Sequence, residues 1–155
     1  MGKGIAAIAG RFVLSAFILA LASSARCADD FLGAVVAVTD GDTFDIQTDS
    51  STKPVRIRLC GVDSPERSQP GYGAAAGALA NMIEGKMVHC LQVGLGTPCD
   101  GLSKPTNHKR IVAQCFVGDK DIAMEMVRLN QACYWPHFSG DYYRVTPASC
   151  VRQGR

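Results

Sequence analysis

Alternating hydrophobic and polar residues mark the first half of the chain. Between Thr43 and Thr48, Phe44 and Ile46 alternate with polar residues, a period of two that is typical of a half-buried β-strand. A Val-rich run at Gly33–Thr39 precedes this segment, and a third run follows at Val55–Cys60. The pattern therefore predicts three consecutive strands.

The turn and the third strand carry the first candidate polar groups. The Asp-Gly-Asp sequence at 40–42 predicts a hairpin turn, because glycine accepts the positive φ that such turns often need. In the third strand, Ile57 and Leu59 share one face and Arg58 lies on the other. Arg58 is therefore expected to point towards solvent or towards a site.

Helical spacing appears after a Gly- and Pro-rich loop at 61–73. The remaining predicted elements are a helix over 76–83 capped by Gly85, strands at Lys86–Val93 and Arg110–Val117, and a second helix opened by Asp121. The second helix has an apolar stripe of Ile122, Met126 and Leu129. This order predicts a mainly β protein with helices, namely a five-stranded OB-fold barrel with two or three helices. An open α+β sheet is the alternative.

The first thirty residues have the basic, apolar and small-residue order of a secretory signal peptide. Lys3 and Arg11 precede a mainly apolar run from Phe12 to Ala22, and small residues continue to Ala25. This run is shorter than the roughly 20 residues that span a bilayer. We expect residues 1–25 to be a signal peptide cleaved near 25 to 27. Residues 28–155 would then form one exported domain, periplasmic or secreted, without stable membrane insertion.

The charge balance of the chain changes when this predicted leader is excluded. The chain has 155 residues, 16 basic and 14 acidic, and its leader contains two of the basic residues and none of the acidic ones. The mature domain is therefore nearly neutral, and any affinity for nucleic acid must come from a local patch. Its length suits one hydrophobic core, and we expect a monomer.

Cysteine usage agrees with export. Six of the seven cysteines fall in the expected mature domain, an even number in a compartment where disulfides persist. They are Cys60, Cys90, Cys99, Cys115, Cys133 and Cys150. Their spacing matches no zinc site. Fifteen pairings of six cysteines are open, and the sequence does not choose among them.

Two acidic clusters flank the third predicted strand. Asp42 in the turn and Asp63 after the strand could supply two oxygen ligands to Ca²⁺, with the Ser64 carbonyl as a third. Glu66, on the same loop, would orient or deprotonate a water molecule. The simpler interpretation is that both clusters are ordinary turn sequences.

Basic residues could complete such a site. Guanidinium groups of Arg58 and Arg110 could clamp a phosphate, although either arginine alone is more often a surface residue. His108 and Lys109 directly precede Arg110 and could form a local phosphate-binding patch with it.

An aromatic cluster lies near the carboxyl end of the chain. Tyr134 and Trp135 could stack a nucleic-acid base, as aromatic side chains do in single-strand binders. The alternative is that both residues complete the core after the second helix.

Several of these segments together resemble the staphylococcal nuclease (thermonuclease) family. The segments are Val-Thr-Asp-Gly-Asp-Thr at 38–43, Ile-Arg-Leu-Cys-Gly-Val-Asp-Ser-Pro-Glu at 57–66, Tyr-Gly at 72–73 and Lys-Arg-Ile-Val-Ala at 109–113. The resemblance continues through 117–119 and 126–128 and covers roughly residues 32–135. It implies an OB-fold and Ca²⁺-dependent hydrolysis of DNA and RNA phosphodiesters.

The resemblance also implies a role for each matching residue. Asp42 and Asp63 take the places of the calcium-binding carboxylates, with the Ser64 carbonyl where the family has Thr. Glu66 matches the carboxylate that positions the attacking water, and Arg58 and Arg110 match the arginines that bind the scissile phosphate.

Two further positions near these residues are Asp40, in the acidic turn, and the pair His108-Lys109, which precedes Arg110. Asp40 is expected to have a structural role near the metal rather than to bind it. The chain departs from the family at His108-Lys109, where the family usually has Tyr-Gly, so the placement of Arg110 is the open question.

The leading expectation is therefore an exported Ca²⁺-dependent nuclease acting on DNA or RNA. The alternative is a non-catalytic OB-fold protein that binds a polysaccharide or an envelope partner. The chain also resembles the thermonuclease-like proteins encoded with succinoglycan exopolysaccharide biosynthesis genes, which motivates that alternative.

Overall fold

The computed structural model describes Met1, residues 28–146 and residues 149–152. The predicted signal peptide lies outside the described residues, except for Met1. The strands are β1 (Asp30–Val38), β2 (Thr43–Gln47), β3 (Val55–Leu59), β4 (Val62–Asp63), β5 (Met87–Gln92), β6 (Thr106–Asn107), β7 (Arg110–Val117), β8 (Lys120–Asp121) and β9 (Cys133–Tyr134). The helices are α1 (Tyr72–Ile83), α2 (Ile122–Arg128) and α3 (Pro136–Ser139). No helix in these ranges is long and apolar enough to cross a membrane.

Five strands close into a barrel. Strands β1, β2 and β3 form an antiparallel meander, and β5 pairs antiparallel with both β1 and β7. Strand β7 also runs parallel to β3, with Ile57 opposite Ile111, and this pairing closes the ring. The predicted mainly β, OB-type barrel with helices is confirmed, and the open-sheet alternative is wrong.

The barrel interior explains the alternation in the sequence. Phe44, Ile46 and Ile57 are fully buried, and Leu59 is 1% exposed, so the apolar face of each strand turns into one core. Burying these side chains removes apolar surface from water, which is the main force that holds a domain of this size together.

The helices follow the predicted pattern with two corrections, the first being that α1 begins at Tyr72 rather than at residue 76. Asp121 is the N-cap of α2, and its carboxylate accepts a hydrogen bond from Met124 N at 3.1 Å. Leu129, expected on the buried stripe, is 52% exposed because α2 ends at Arg128. Ala123 and Val127 are buried beside Ile122 and Met126 instead.

All six cysteines of the predicted mature domain are paired. The disulfides join Cys60 to Cys99, Cys90 to Cys115 and Cys133 to Cys150. Cys90 and Cys115 face each other across the β5–β7 ladder. The Cys60–Cys99 bridge joins the end of β3 to a loop, and the Cys133–Cys150 bridge joins β9 to the tail. Each bridge limits the unfolded chain and typically contributes about 2–4 kcal/mol to stability. Three disulfides are compatible with an oxidising compartment.

Candidate active site

The candidate site lies where the start of β2, the end of β3 and the short strand β4 meet. The β2–β3 register places Thr43 opposite Arg58, and Leu59 N donates a hydrogen bond to Asp42 O at 2.8 Å. The ladder therefore brings the acidic turn next to the strand end that carries Arg58.

Gly41 allows this turn to pack tightly. It is not among the residues with positive φ, so the predicted reason for glycine in this turn is wrong. A Cβ added to Gly41 would lie 2.7 Å from Ala75 Cβ and 2.8 Å from Ser64 Cβ. Glycine is required here because the turn, α1 and the loop after β4 approach one another closely.

The Asp42 carboxylate is held by four polar groups. Its Oδ1 accepts a hydrogen bond from Thr43 Oγ1 at 3.0 Å and lies 3.1 Å from Arg58 Nε. Its Oδ2 accepts hydrogen bonds from Ser64 N at 2.8 Å and from Ser64 Oγ at 2.9 Å. Asp42 is only 5% exposed, so these partners replace water and fix the orientation of the carboxylate.

Arg58 connects this carboxylate to Asp63. Its guanidinium donates hydrogen bonds to Leu59 O at 2.6 Å, to Val62 O at 2.9 Å and to Asp63 Oδ1 at 3.4 Å. One cation therefore lies against both predicted metal-binding carboxylates. The paired charges offset part of the cost of removing all three groups from water.

Asp63 also contacts an arginine from the far end of the chain. Arg152 Nε lies 3.0 Å from Asp63 Oδ2. Burial raises the pKa of Asp63 above its ordinary value, and the charges of Arg58 and Arg152 offset this only in part. The sequence offered no signal for Arg152, because its position depends on the bridge between Cys133 and Cys150.

Asp40 supports the turn from beside the site. Its Oδ1 accepts a hydrogen bond from Asp42 N at 3.0 Å. Burial, followed by the charge of Asp42, raises the pKa of Asp40 to about 6. Burial therefore disfavours the charged form of Asp40, and the neighbouring Asp42 carboxylate adds to this effect.

Arg110 reaches the same cluster from β7. Its NH1 donates a hydrogen bond at 3.4 Å to Thr43 Oγ1, the hydroxyl that also contacts Asp42. The β6–β7 hairpin that presents Arg110 turns through His108 and Lys109, both of which have positive φ, at 47° and 64°. The departure at 108–109 therefore strains the backbone but leaves Arg110 directed at the site.

Glu66 lies at the edge of the cluster. It is exposed, and its backbone N–H donates a hydrogen bond to Gln69 Oε1 at 2.9 Å. Its charge is the smallest of the causes that raise the pKa of Asp63, after burial and the charge of Asp42. An exposed carboxylate in this position is free to contact a water molecule.

The aromatic residues separate into two environments. Tyr134 is 4% exposed and belongs to the core, where it pairs with Val62. Trp135 instead lines a cavity of about 660 Å³ together with Arg58 and Phe138. Residues of the loop at 101–108 also line this cavity, and the Cys60–Cys99 disulfide fastens the chain just before this loop.

The oxygen atoms of Asp42, Asp63 and Ser64 are the type of donor that hard divalent cations prefer. Among residues 28–146 and 149–152, no three acidic, His or Cys side chains converge on one point. A cation here would therefore rely on Asp42, Asp63, a Ser64 oxygen and water, a donor set that Ca²⁺ accepts. Since Arg58 already lies against both carboxylates, a bound cation would compete with its guanidinium.

Comparison with known proteins points to one group of relatives. No protein-family model matches the chain. The chain is 40% identical over 116 residues to an Escherichia coli protein named "Uncharacterized endonuclease", covering 74% of this chain and 67% of that protein. It is 26% identical over 107 residues to a Haemophilus influenzae protein of the same name, covering 69% of this chain and 54% of that protein.

A shorter match involves an Escherichia coli protein named "Protein ParB". The identity is 41% over 66 residues, covering 43% of this chain and 35% of that protein. Across these three relatives, the chain spans between about a third and two thirds of their lengths.

Proposed function

The chain belongs to the family of the Escherichia coli protein named an uncharacterized endonuclease, and from this premise we propose that it is a nuclease. More specifically, we propose that it is an exported Ca²⁺-dependent enzyme of the staphylococcal nuclease type, which hydrolyses phosphodiester bonds of DNA or RNA. The observation that carries it is the joint contact of Arg58 with Asp42 and Asp63, with Arg110 directed at the same cluster.

Asp42, Asp63 and an oxygen of Ser64 would hold the cation. When bound, Ca²⁺ supplies positive charge to a phosphodiester and lowers the pKa of a nearby water molecule. Thr43 and Ser64 keep the Asp42 carboxylate oriented by the hydrogen bonds described above. This fixed orientation lowers the reorganisation needed when substrate binds.

The arginines would bind the reacting phosphate. A guanidinium group can donate two parallel hydrogen bonds to phosphate oxygens, and its charge stabilises the negative charge that develops during in-line attack. Arg58 and Arg110 reach the cluster from neighbouring strands, because β3 and β7 pair in parallel. Glu66 would orient or deprotonate the attacking water from the solvent side.

The cavity beside Arg58 would receive the adjoining nucleotide. Its volume of about 660 Å³ lies within the usual range for small-ligand sites. Trp135 offers an aromatic face for base stacking. Lys109 would add a local positive charge that attracts the phosphate backbone of the nucleic acid. Local charge matters here because the predicted mature domain is nearly neutral.

An accessory binding protein associated with exopolysaccharide biosynthesis is the rival. The names of the relatives support the nuclease over this rival. The two functions differ in their expected ligands, because a nuclease binds a nucleotide bisphosphate more tightly with Ca²⁺. An accessory protein would bind oligosaccharide whether or not the metal is present.

Hydrolysis of single-stranded DNA tests the proposal. We expect cleavage with Ca²⁺, none with EGTA, and at least about a hundredfold loss of kcat in Asp42→Asn. Asp45→Asn is the matched control, because Asp45 lies on β2 just after the acidic turn and pairs with exposed Arg56 instead of the site. Absent or metal-independent cleavage by folded wild-type protein would overturn the proposal.

A further inference from the structure

We propose that Arg152 is a third arginine of the site, a positioning residue that fixes Asp63 and Trp135. This inference rests on the proposed nuclease function, which assigns the metal to Asp63 and the base to Trp135. It adds a residue from the tail of the chain, beyond the segments that resemble the nuclease family.

The first contact of Arg152 is ionic. Its Nε lies 3.0 Å from Asp63 Oδ2, without the alignment of a hydrogen bond among the described residues. Arg58 donates to the other oxygen of Asp63 at 3.4 Å. The Asp63 carboxylate is therefore held by a different guanidinium at each oxygen, which limits rotation of its side chain.

The second contact is with the indole ring. The guanidinium carbon of Arg152 lies 5.6 Å from the centroid of the Trp135 ring, within the range of a cation–π interaction. Trp135 also packs edge-to-face on Phe138, with ring centroids 4.7 Å apart. The ring that lines the cavity is thus supported by Phe138 and by Arg152.

The backbone explains how a tail residue reaches the site. Cys133 is paired with Asp63 across the β4–β9 ladder, and its disulfide partner is Cys150. Tyr134 N donates to Cys150 O at 3.0 Å, and Arg152 N donates to Tyr134 O at 2.7 Å. The β4–β9 pairing and the disulfide therefore hold the tail beside β4, so that Arg152 lies next to Asp63.

Another arginine of the same tail shows what an ordinary surface pair looks like. Arg144 is 46% exposed and lies 3.8 Å from Asp141, which is itself 70% exposed. Arg152 is exposed to a similar extent, at 41%, but the carboxylate that it contacts is only 18% exposed. Less solvent screens the second pair, so it can orient its partner more strongly.

Two readouts on Arg152→Gln test the positioning role, with Arg144→Gln as the control. Trp135 is the only tryptophan of the chain, so its fluorescence in EGTA reports on the ring without metal or turnover. We expect Arg152→Gln to make Trp135 more accessible to acrylamide and to lower kcat about tenfold, with KM within about twofold. We expect Arg144→Gln to match the wild type.

A double variant, Cys133→Ser with Cys150→Ser, tests whether the disulfide delivers Arg152. We expect it to reproduce the fluorescence change of Arg152→Gln, with far-ultraviolet circular dichroism checking that the barrel remains folded. Wild-type fluorescence in the folded double variant would overturn the role of the disulfide.

The remaining outcomes separate this inference from the proposed function. If Arg152→Gln matches Arg144→Gln in both readouts, or raises KM with kcat unchanged, the positioning role is wrong. If the wild type does not cleave DNA, the nuclease proposal fails. Fluorescence alone then decides whether Arg152 positions Trp135.

Discussion

Arg58 Nε lies 3.1 Å from Asp42 Oδ1, and the two side chains are only 13% and 7% exposed. A buried pair of this kind owes its arrangement to mutual neutralisation, since neither charge has enough water to solvate it alone. Arg58 thus acts as the counter-cation of Asp42. Removal of the carboxylate would leave Arg58 Nε and both hydrogen-bond donors of Ser64 without the oxygen atoms that they contact.

Asp42→Ala is expected to lower the free energy of unfolding by about 3 kcal/mol, the cost typical of breaking a buried ion pair. Asp45→Ala should cost less than about 1 kcal/mol, because its partner Arg56 is exposed. Urea denaturation of both variants measures the difference. Equal losses in the two variants would show that burial does not strengthen the Arg58–Asp42 pair.

Arg110→Ala is expected to reduce kcat for DNA cleavage about a hundredfold, as loss of a group that stabilises developing charge does. Stability should change by less than about 0.5 kcal/mol, because the Arg110 contacts with Thr43 and Asn107 are both 3.4 Å long. Steady-state kinetics and urea denaturation measure the two effects. Arg128→Ala is the control, because Arg128 is exposed on α2 and pairs with Glu125, and this variant should keep full activity. Equal losses of kcat in the two variants would refute this role for Arg110.

Local patterning explains why most of the barrel could be predicted. Strand β7 matches its predicted range Arg110–Val117, and Asp121 caps α2 as expected, because period-two alternation and capping are encoded by neighbouring residues. Alternation also predicted that Arg58 points away from the core, whereas its contact with Asp42 was not predicted. In each case, residues close in the sequence or in adjacent strands decide the geometry.

Long-range features could not be predicted in the same way. The pairing of Cys60 with Cys99 spans 39 residues, and nothing in the local spacing selects it among the alternatives. Arg152 lies in a tail without periodicity, and its position depends on Cys150 two residues earlier. The split between buried Tyr134 and cavity-lining Trp135 likewise depends on where α3 and the tail pack.

Lys109→Gly is expected to stabilise the fold by about 1 kcal/mol. Lys109 has a φ of 64°, a left-handed conformation that costs residues with a Cβ roughly 1–2 kcal/mol and costs glycine little. Thermal unfolding should therefore shift to higher temperature. Lys104→Gly serves as the control, because Lys104 is an exposed loop residue outside the positive-φ set. An equal or lower midpoint for Lys109→Gly would contradict the assigned strain.

Asp121→Asn is expected to change how stability depends on pH. Burial raises the pKa of Asp121 above its ordinary value of 3.8, despite hydrogen bonds from Gln114 and Met124. The pKa of Asp121 is therefore higher in the folded state than in the unfolded state. As a result, protonated Asp121 contributes to the stability of the wild type below about pH 3.8, and this contribution is lost as the pH rises through the raised pKa.

The asparagine variant does not titrate at this position. Its stability relative to the wild type should therefore increase as the pH rises from below 3.8 towards neutrality. Urea denaturation of both proteins across this range measures the difference. A relative stability that falls with increasing pH would mean that the pKa of Asp121 is lowered by folding.

Mild reduction is expected to open the Cys133–Cys150 disulfide before the other two. Thiol–disulfide exchange requires direct access of the attacking thiolate to sulfur. Cys150 is exposed, whereas the four cysteines of the other bridges, Cys60, Cys99, Cys90 and Cys115, are each at most 1% exposed. Alkylation of the freed thiols during a reductant titration, followed by peptide mass analysis, should label residues 133 and 150 first. Simultaneous labelling of all six cysteines would instead mean that reduction proceeds through global unfolding.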